Sequence, residues 1–74
     1  MTVYLWEAAT WSGVSGSLGE AQRRATAHVE GGGQGRIEAA LLAMGAPGLT
    51  FCYQRTGRSW TARRHPDGTV SWGG

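Results

Sequence analysis

The chain is predicted to fold as an α+β domain, an antiparallel sheet of four to five strands with one helix packed on one face. Three observations predict it. From Leu49 to Trp72, apolar and polar residues alternate between turn signals, the period of half-buried strands. Before that, Leu18, Ala21, Ala25 and Val29 recur at i, i+3, i+7 and i+11, one stripe of a helix. Finally, Leu, Ile, Val and Phe supply only 11 of the 74 residues, whereas four Trp and two Tyr are present among 13 Gly and 10 Ala. Each aromatic buries roughly 150–250 Å², so the core has to be aromatic side chains set over small residues.

Residues 3–10 read as the first strand. Val3-Tyr4-Leu5-Trp6 is β-branched, aromatic and apolar, with Val3, Leu5 and Glu7 on one face and Tyr4, Trp6 and Ala8 on the other. Ser12 to Gly16 reads as a loop by composition. Ser17 with Glu20 three residues on fits a capping box and starts the helix. Gly31-Gly32-Gly33 stops it, with Gly31 as a left-handed cap. Residues 36–44 satisfy two patterns: Ile37, Ala40, Leu41 and Met44 fit a helix, and Ile37, Ala39, Leu41 and Ala43 fit a strand. Three short strands follow, Leu49 to Arg55, Ser59 to His65 and Thr69 to Trp72, joined by turns at Thr56-Gly57-Arg58 and Pro66-Asp67-Gly68. Leu49, Phe51, Tyr53, Trp60, Ala62, Val70 and Trp72 make the apolar side of this meander. Thr50, Cys52, Gln54, Thr61, Arg63, His65, Thr69 and Ser71 make the polar side.

Length and composition bound the function. Seventy-four residues make one domain. No apolar run reaches 18 residues, so no membrane is called as a partner. The single Cys52 cannot close an internal disulfide, and with two distant His it is no zinc pattern, so no metal or cofactor is expected. Domains this small often lean on a partner, which points to self-association, a homodimer for instance. The first residues lack a basic start and a long apolar stretch, so the expected location is cytoplasmic.

The run Tyr53-Gln54-Arg55-Thr56-Gly57-Arg58-Ser59-Trp60-Thr61-Ala62-Arg63-Arg64, closing on Asp67-Gly68-Thr69-Val70-Ser71-Trp72, resembles small, mostly uncharacterised actinomycete proteins. Their shared pattern is Tyr-x-Arg-Thr-Gly-x-x-Trp followed by Gly-x-x-x-Trp. The likeness spans about residues 36–72, with a weaker echo in the first strand, and Ser59 departs from it where a Gly is expected. It carries no activity. It implies that Arg36 to Leu42 is a strand, hence the order β-α-β-β-β, with β-α-α-β-β-β as the alternative.

The main candidate site is basic. Arg55, Arg58, Arg63, Arg64 and His65 fall within eleven residues, with Trp60 among them, and all seven cations of the chain are Arg. Arg presents a planar fork suited to phosphates and guanine edges. An antiparallel ribbon so armed can bind nucleic acid, with Arg55, Arg58, Arg63 and Arg64 on phosphate or base edges and Thr61 and His65 adding hydrogen bonds. The modest net charge of +2 fits equally a solvated sheet face. A second expectation is a protein–protein adaptor or homodimer, with Tyr4 and Trp6 as the contact should they lie on the open face.

Three lesser expectations remain. The end Gly73-Gly74 is similar to that of ubiquitin-like and sulfur-carrier proteins, though the single strand read before the helix argues against that order. Cys52 with His28 or His65 as base lacks a third group, so no enzyme is expected. Gly31-Gly32-Gly33-Gln34-Gly35 lacks the Lys-Ser/Thr ending of a phosphate loop and reads as a linker.

Overall fold

The opening apolar run forms β1 (Thr2–Ala8), and the chain then folds straight back on it. A computed structural model describes residues 1–30, 33–45 and 50–74. In it, β1 turns at Ala9-Thr10 into β2 (Trp11–Ser15), which leads into α1 (Leu18–Val29). Three strands follow: β3 (Gly35–Gly45), β4 (Thr50–Arg64) and β5 (Val70–Gly73). They form one five-stranded sheet, ordered β2-β1-β3-β4-β5, antiparallel at every pairing. Since β2 and β3 both oppose β1, they run parallel to each other, and α1 is the crossover that joins them.

The fold class is the expected one, but the order is β-β-α-β-β-β and matches neither β-α-β-β-β nor β-α-α-β-β-β. Two local readings are corrected. Ser12 to Gly16 is not a loop; most of it is strand β2, paired with β1 from Tyr4↔Ser15 to Ala8↔Trp11. The turn before it lacks the usual Gly or Asn: Ala9 takes φ 55°, and its N–H donates to the Gln34 carbonyl at 3.0 Å. Thr56-Gly57-Arg58 is not a turn between strands. It is a bulge inside one 15-residue strand, where the β3–β4 register steps from Glu38↔Ser59 to Ala40↔Arg55. Gly57 takes φ 90° there, and Thr56 Oγ1 donates to the Ala39 carbonyl at 3.2 Å. Turn chemistry is present, but it bends a strand without reversing it.

Residues 36–44 lie within β3 despite their helix formers, because burial overrides propensity. Ile37 and Ala39 are sealed on the helix side, and Arg36 and Glu38 alternate to the other. The helix itself follows the sequence closely. Ser17 is extended at its N-cap, and its Oγ accepts the Glu20 N–H at 3.2 Å. The Glu20 carboxylate pairs with Arg24 at 3.0 Å, one turn on. Ala21, Ala25 and Val29 are buried, with Leu18 packed beside them. The expected cap at Gly31 lies outside the described residues, as does Leu49.

The core sits between α1 and one face of the sheet. Trp6, Ala8 and Ile37 meet Ala21, Ala25 and Val29, flanked by Tyr4, Trp60, Ala62, Val70 and Trp72. Small residues set the helix close to the sheet. A Cβ on Gly35 would lie 2.6 Å from Val29 Cγ2 and 3.0 Å from the Trp72 ring. Trp72 Nε1 donates to Thr26 Oγ1 at 3.0 Å, which fastens the last strand to the helix. Leu42 N–H still donates to the Met1 carbonyl at 2.8 Å; beyond it, among the described residues, β3 pairs with β4 alone, so the far end of that pair extends as a two-stranded ribbon.

Candidate functional site

The helix covers one face of the sheet and leaves the other open. Strand alternation assigns residues to each. Tyr4, Trp6 and Ala8 pair with Ala39, Ile37 and Gly35 on the covered side. Leu5 and Glu7 therefore face the open side, with Glu38 and Arg36 as cross-strand partners. On β2, Val14 and Ser12 join them. On β4, the bulge keeps Arg55 on this side with Ser59, Thr61 and Arg63, and Tyr53 with them.

This placement revises the meander's faces. Tyr53 was expected beside Trp60 on the apolar side, and Cys52 and Gln54 beside Thr61. Because 50–64 is one strand, Tyr53 lies opposite Trp60 and alongside Arg55. Trp60, Ala62, Val70 and Trp72 are on the apolar side as expected, packed against the core.

The open face is concave. Leu5, Glu7, Val14 and Ser12 from β1 and β2 line the same groove as Arg36 and Glu38 from β3 and Tyr53 and Arg55 from β4. In a flat sheet β2 and β4 would stand about 14 Å apart, so a shared groove requires the sheet to curl toward this side. Its volume is about 260 Å³, and Trp6 and Gly13 complete its lining. The floor is apolar, from Leu5, Val14 and Tyr53. Glu38 organises the charged wall: Oε1 pairs with Arg36 at 2.8 Å, and Oε2 pairs with Arg55 Nε. The carboxylate is half-buried while both guanidiniums are largely exposed, so the two cations keep free donors toward solvent. A hollow of about 90 Å³ continues the groove across the bulge, lined by Arg36, Glu38, Arg55, Gly57, Arg58 and Ser59. Farther along β4, Thr61, Arg63, His65 and Ser71 line an open depression.

The six residues expected to bind nucleic acid are divided between two sides. Arg55, Thr61 and Arg63 share the open face, and His65 Nε2 lies 2.8 Å from Ser71 Oγ, whose strand pair is Arg63. Arg58 leaves the bulge to lie over the Trp60 ring, 5.2 Å from its centroid, a cation–π contact. Arg64 pairs with Val70 at the covered-side edge. Arg36 and Glu38 were not among the candidates; their period-two spacing on a strand was the available signal.

Tyr4 and Trp6 were expected to mark a partner surface only if they lay on the open face, and they lie on the covered one. Trp6 is 7 % exposed, its ring stacked 5.8 Å from His28, and His28 also stacks on Trp11 at 5.0 Å. Tyr4 packs on Trp60 at 5.9 Å. Among the residues whose burial is described, the exposed aromatics are instead Trp11 and Tyr53.

The remaining motifs are placed as follows. Cys52 lies near the start of β4 and His65 just past its end, on the order of 35 Å apart once the bulge is allowed for, so they cannot act as nucleophile and base. Among the described residues, no His, Cys, Asp and Glu group has metal-site geometry, and no helix is long and apolar enough to cross a membrane. The hairpin does precede the helix, which reverses the order argument against a Gly-Gly carrier; Gly73, however, is paired with Thr61 inside β5. Pro66-Asp67-Gly68 is the expected turn. His65 N–H donates to the Thr69 carbonyl at 2.8 Å, and Gly68 takes φ 90°. Asp67 accepts from the Thr69 hydroxyl at 2.7 Å and from its backbone N–H at 3.0 Å, which holds the Asp67 carboxyl below its usual range. No protein-family model, curated protein or solved structure matches this chain.

Proposed function

We propose that this protein is a non-enzymatic module that binds nucleic acid across the open face of its sheet. The observation that carries the reading is the uneven distribution of charge over the fold. Residues 36–74 hold five Arg against Glu38 and Asp67, and residues 1–30 hold two Arg against Glu7, Glu20 and Glu30. The first part is net +3 and the second net −1, although the whole chain is only +2. Arg36, Arg55 and Arg63 of the positive part stand on the face that α1 leaves uncovered, where they outnumber Glu7 and Glu38. Phosphate backbones are drawn to such a face, and the attraction weakens steeply with salt.

The test is a titration of labelled oligonucleotides at about 50 and 200 mM salt. Saturable binding that weakens by an order of magnitude or more at the higher salt, and that Arg63→Ala reduces, is the expected result. Absence of binding at low salt would refute the reading.

A second reading, self-association, has its own observation. Residues 39–54 carry no charge, and Leu41 and Tyr53 are exposed on the β3–β4 pair they belong to. Sedimentation equilibrium gives the answer: a dimer that Leu41→Lys dissociates supports it, and a monomer at all concentrations excludes it.

A further inference from the structure

We propose that the nucleic acid taken by this face is single-stranded, and that the groove beside Tyr53 holds one unstacked base. The inference rests on the nucleic-acid reading above and goes further, to the kind of strand and the way it is held.

The groove is the right size for a ring. At about 260 Å³ it lies just below the range of roughly 300–1,000 Å³ typical of drug-sized ligands. The lining suits a flat apolar body with polar edges. Leu5, Val14 and the half-exposed Tyr53 offer apolar and aromatic surface, and every base has a face that stacks on such a ring.

Glu38 argues that the base occupies the groove and the phosphates stay outside it. With Glu7 and Glu38 set against Arg36 and Arg55, the groove lining has no net charge to draw in a phosphate, while the Glu38 carboxylate can accept a hydrogen bond from a base N–H. Arg36 and Arg55 flank that carboxylate and remain open to solvent, where a neighbouring phosphate would lie. The path then continues along β4, over the hollow at Arg55 and Ser59 toward Arg63 and His65. A cationic track with an aromatic at one end is the general design for holding a single strand.

Duplex reading is disfavoured by the ribbon itself. A two-stranded ribbon entering a major groove must bring polar donors to base edges and cations alongside phosphates. Residues 39–54, which include the projecting part of β3 and β4, have no charged side chain. The Arg residues stand behind the ribbon, on the body of the sheet.

The experiment is fluorescence anisotropy with three labelled probes of about 12 nucleotides: a mixed-sequence single strand, the same sequence as duplex, and a strand of abasic sites that keeps sugar and phosphate. The single strand is expected to bind tighter than either of the others. Tyr53→Ala should weaken single-strand binding by roughly 5- to 100-fold, while Tyr53→Phe, which keeps the ring, leaves it within about twofold. Arg63→Ala should weaken all three probes. If the abasic strand binds as tightly as the intact one, or Tyr53→Ala changes nothing while Arg63→Ala still does, the groove inference falls and the phosphate reading stands. If none of the probes binds at low salt, both fall. The abasic comparison needs no variant, so the proposal is decided even if Tyr53→Ala fails to fold.

Discussion

On one side of β3, Ile37 and Ala39 are sealed under α1; on the other, one residue along, Arg36 and Glu38 form an ion pair at the rim of a groove. The covered side is made of Trp6, Trp60, Trp72 and small residues, with Thr26 answering the Trp72 N–H. The open side has an apolar floor of Leu5, Val14 and the exposed Tyr53, walled by Arg36 and Arg55 with Glu7 and Glu38. The same five strands supply both. In a chain this short the aromatics are consumed by the core, because there are too few aliphatics to build one without them. What remains for recognition is the second face of each strand, and that face carries Arg.

The sharpest way to break the comparison is to delete one large residue from each side. Trp6→Ala removes the centre of the covered face and should cost about 3–5 kcal/mol. A 74-residue domain holds roughly 4–11 kcal/mol in total, so this variant should lose a large share of its stability, read as a marked drop in the urea midpoint by circular dichroism. Arg63→Ala on the open face should change the stability measured by urea denaturation by no more than about 0.5 kcal/mol. A stable Trp6→Ala would mean that the covered face is not the core.

A methyl-scale test of the same face comes next. Gly35 lies where Val29 and Trp72 converge, and any Cβ there clashes with them. Gly35→Val should destabilise by about 1–3 kcal/mol through overpacking. Urea denaturation measures it, and a neutral result would mean that the helix sits farther from β3.

Glu38→Gln probes the open face. Because its partners are exposed, losing the ion pair should cost at most about 1 kcal/mol. Binding should respond more than stability. Arg36 and Arg55 are then released, and the log–log salt slope for nucleic acid should steepen by up to roughly one unit. A weaker affinity with an unchanged slope would instead assign Glu38 to holding the base.

The covered face was largely legible in the sequence, and the open face only in part. The helix stripe, its Ser17 cap and the Pro66-Asp67-Gly68 turn follow from local chemistry, and local chemistry decided them. β2 was hidden because Ser12, Gly13 and Ser15 look like a loop. Gly13 is there because the Trp6 ring lies where its Cβ would be, at 2.6 Å, a requirement set by a residue seven positions away. The bulge was hidden for a related reason. Thr56-Gly57 has the composition of a turn, and only pairing with Ala39 decides whether the chain reverses. That one decision moved Tyr53 from the covered side to the groove. Arg36 and Glu38 escaped notice because residues 36–44 satisfied both periods until burial chose one.

The smallest expected effect lies at the β4–β5 turn, where neither face contributes. Asp67 accepts two hydrogen bonds from Thr69, first the hydroxyl and then the backbone N–H, and both favour its charged form. Its folded pKa is therefore below its unfolded value of about 3.9. The sign follows: the stabilisation is complete above that value and is lost as pH falls through the folded pKa. The group is fully exposed, so the effect is small beside that of Trp6. Thermal melts from pH 6 to pH 2.5 should show the wild type losing slightly more stability on the acid side than Asp67→Asn, which has no carboxyl to protonate there. Identical acid limbs would mean that the turn is held by its backbone bonds and Gly68 alone, and that Asp67 does no more than accept what water would otherwise donate.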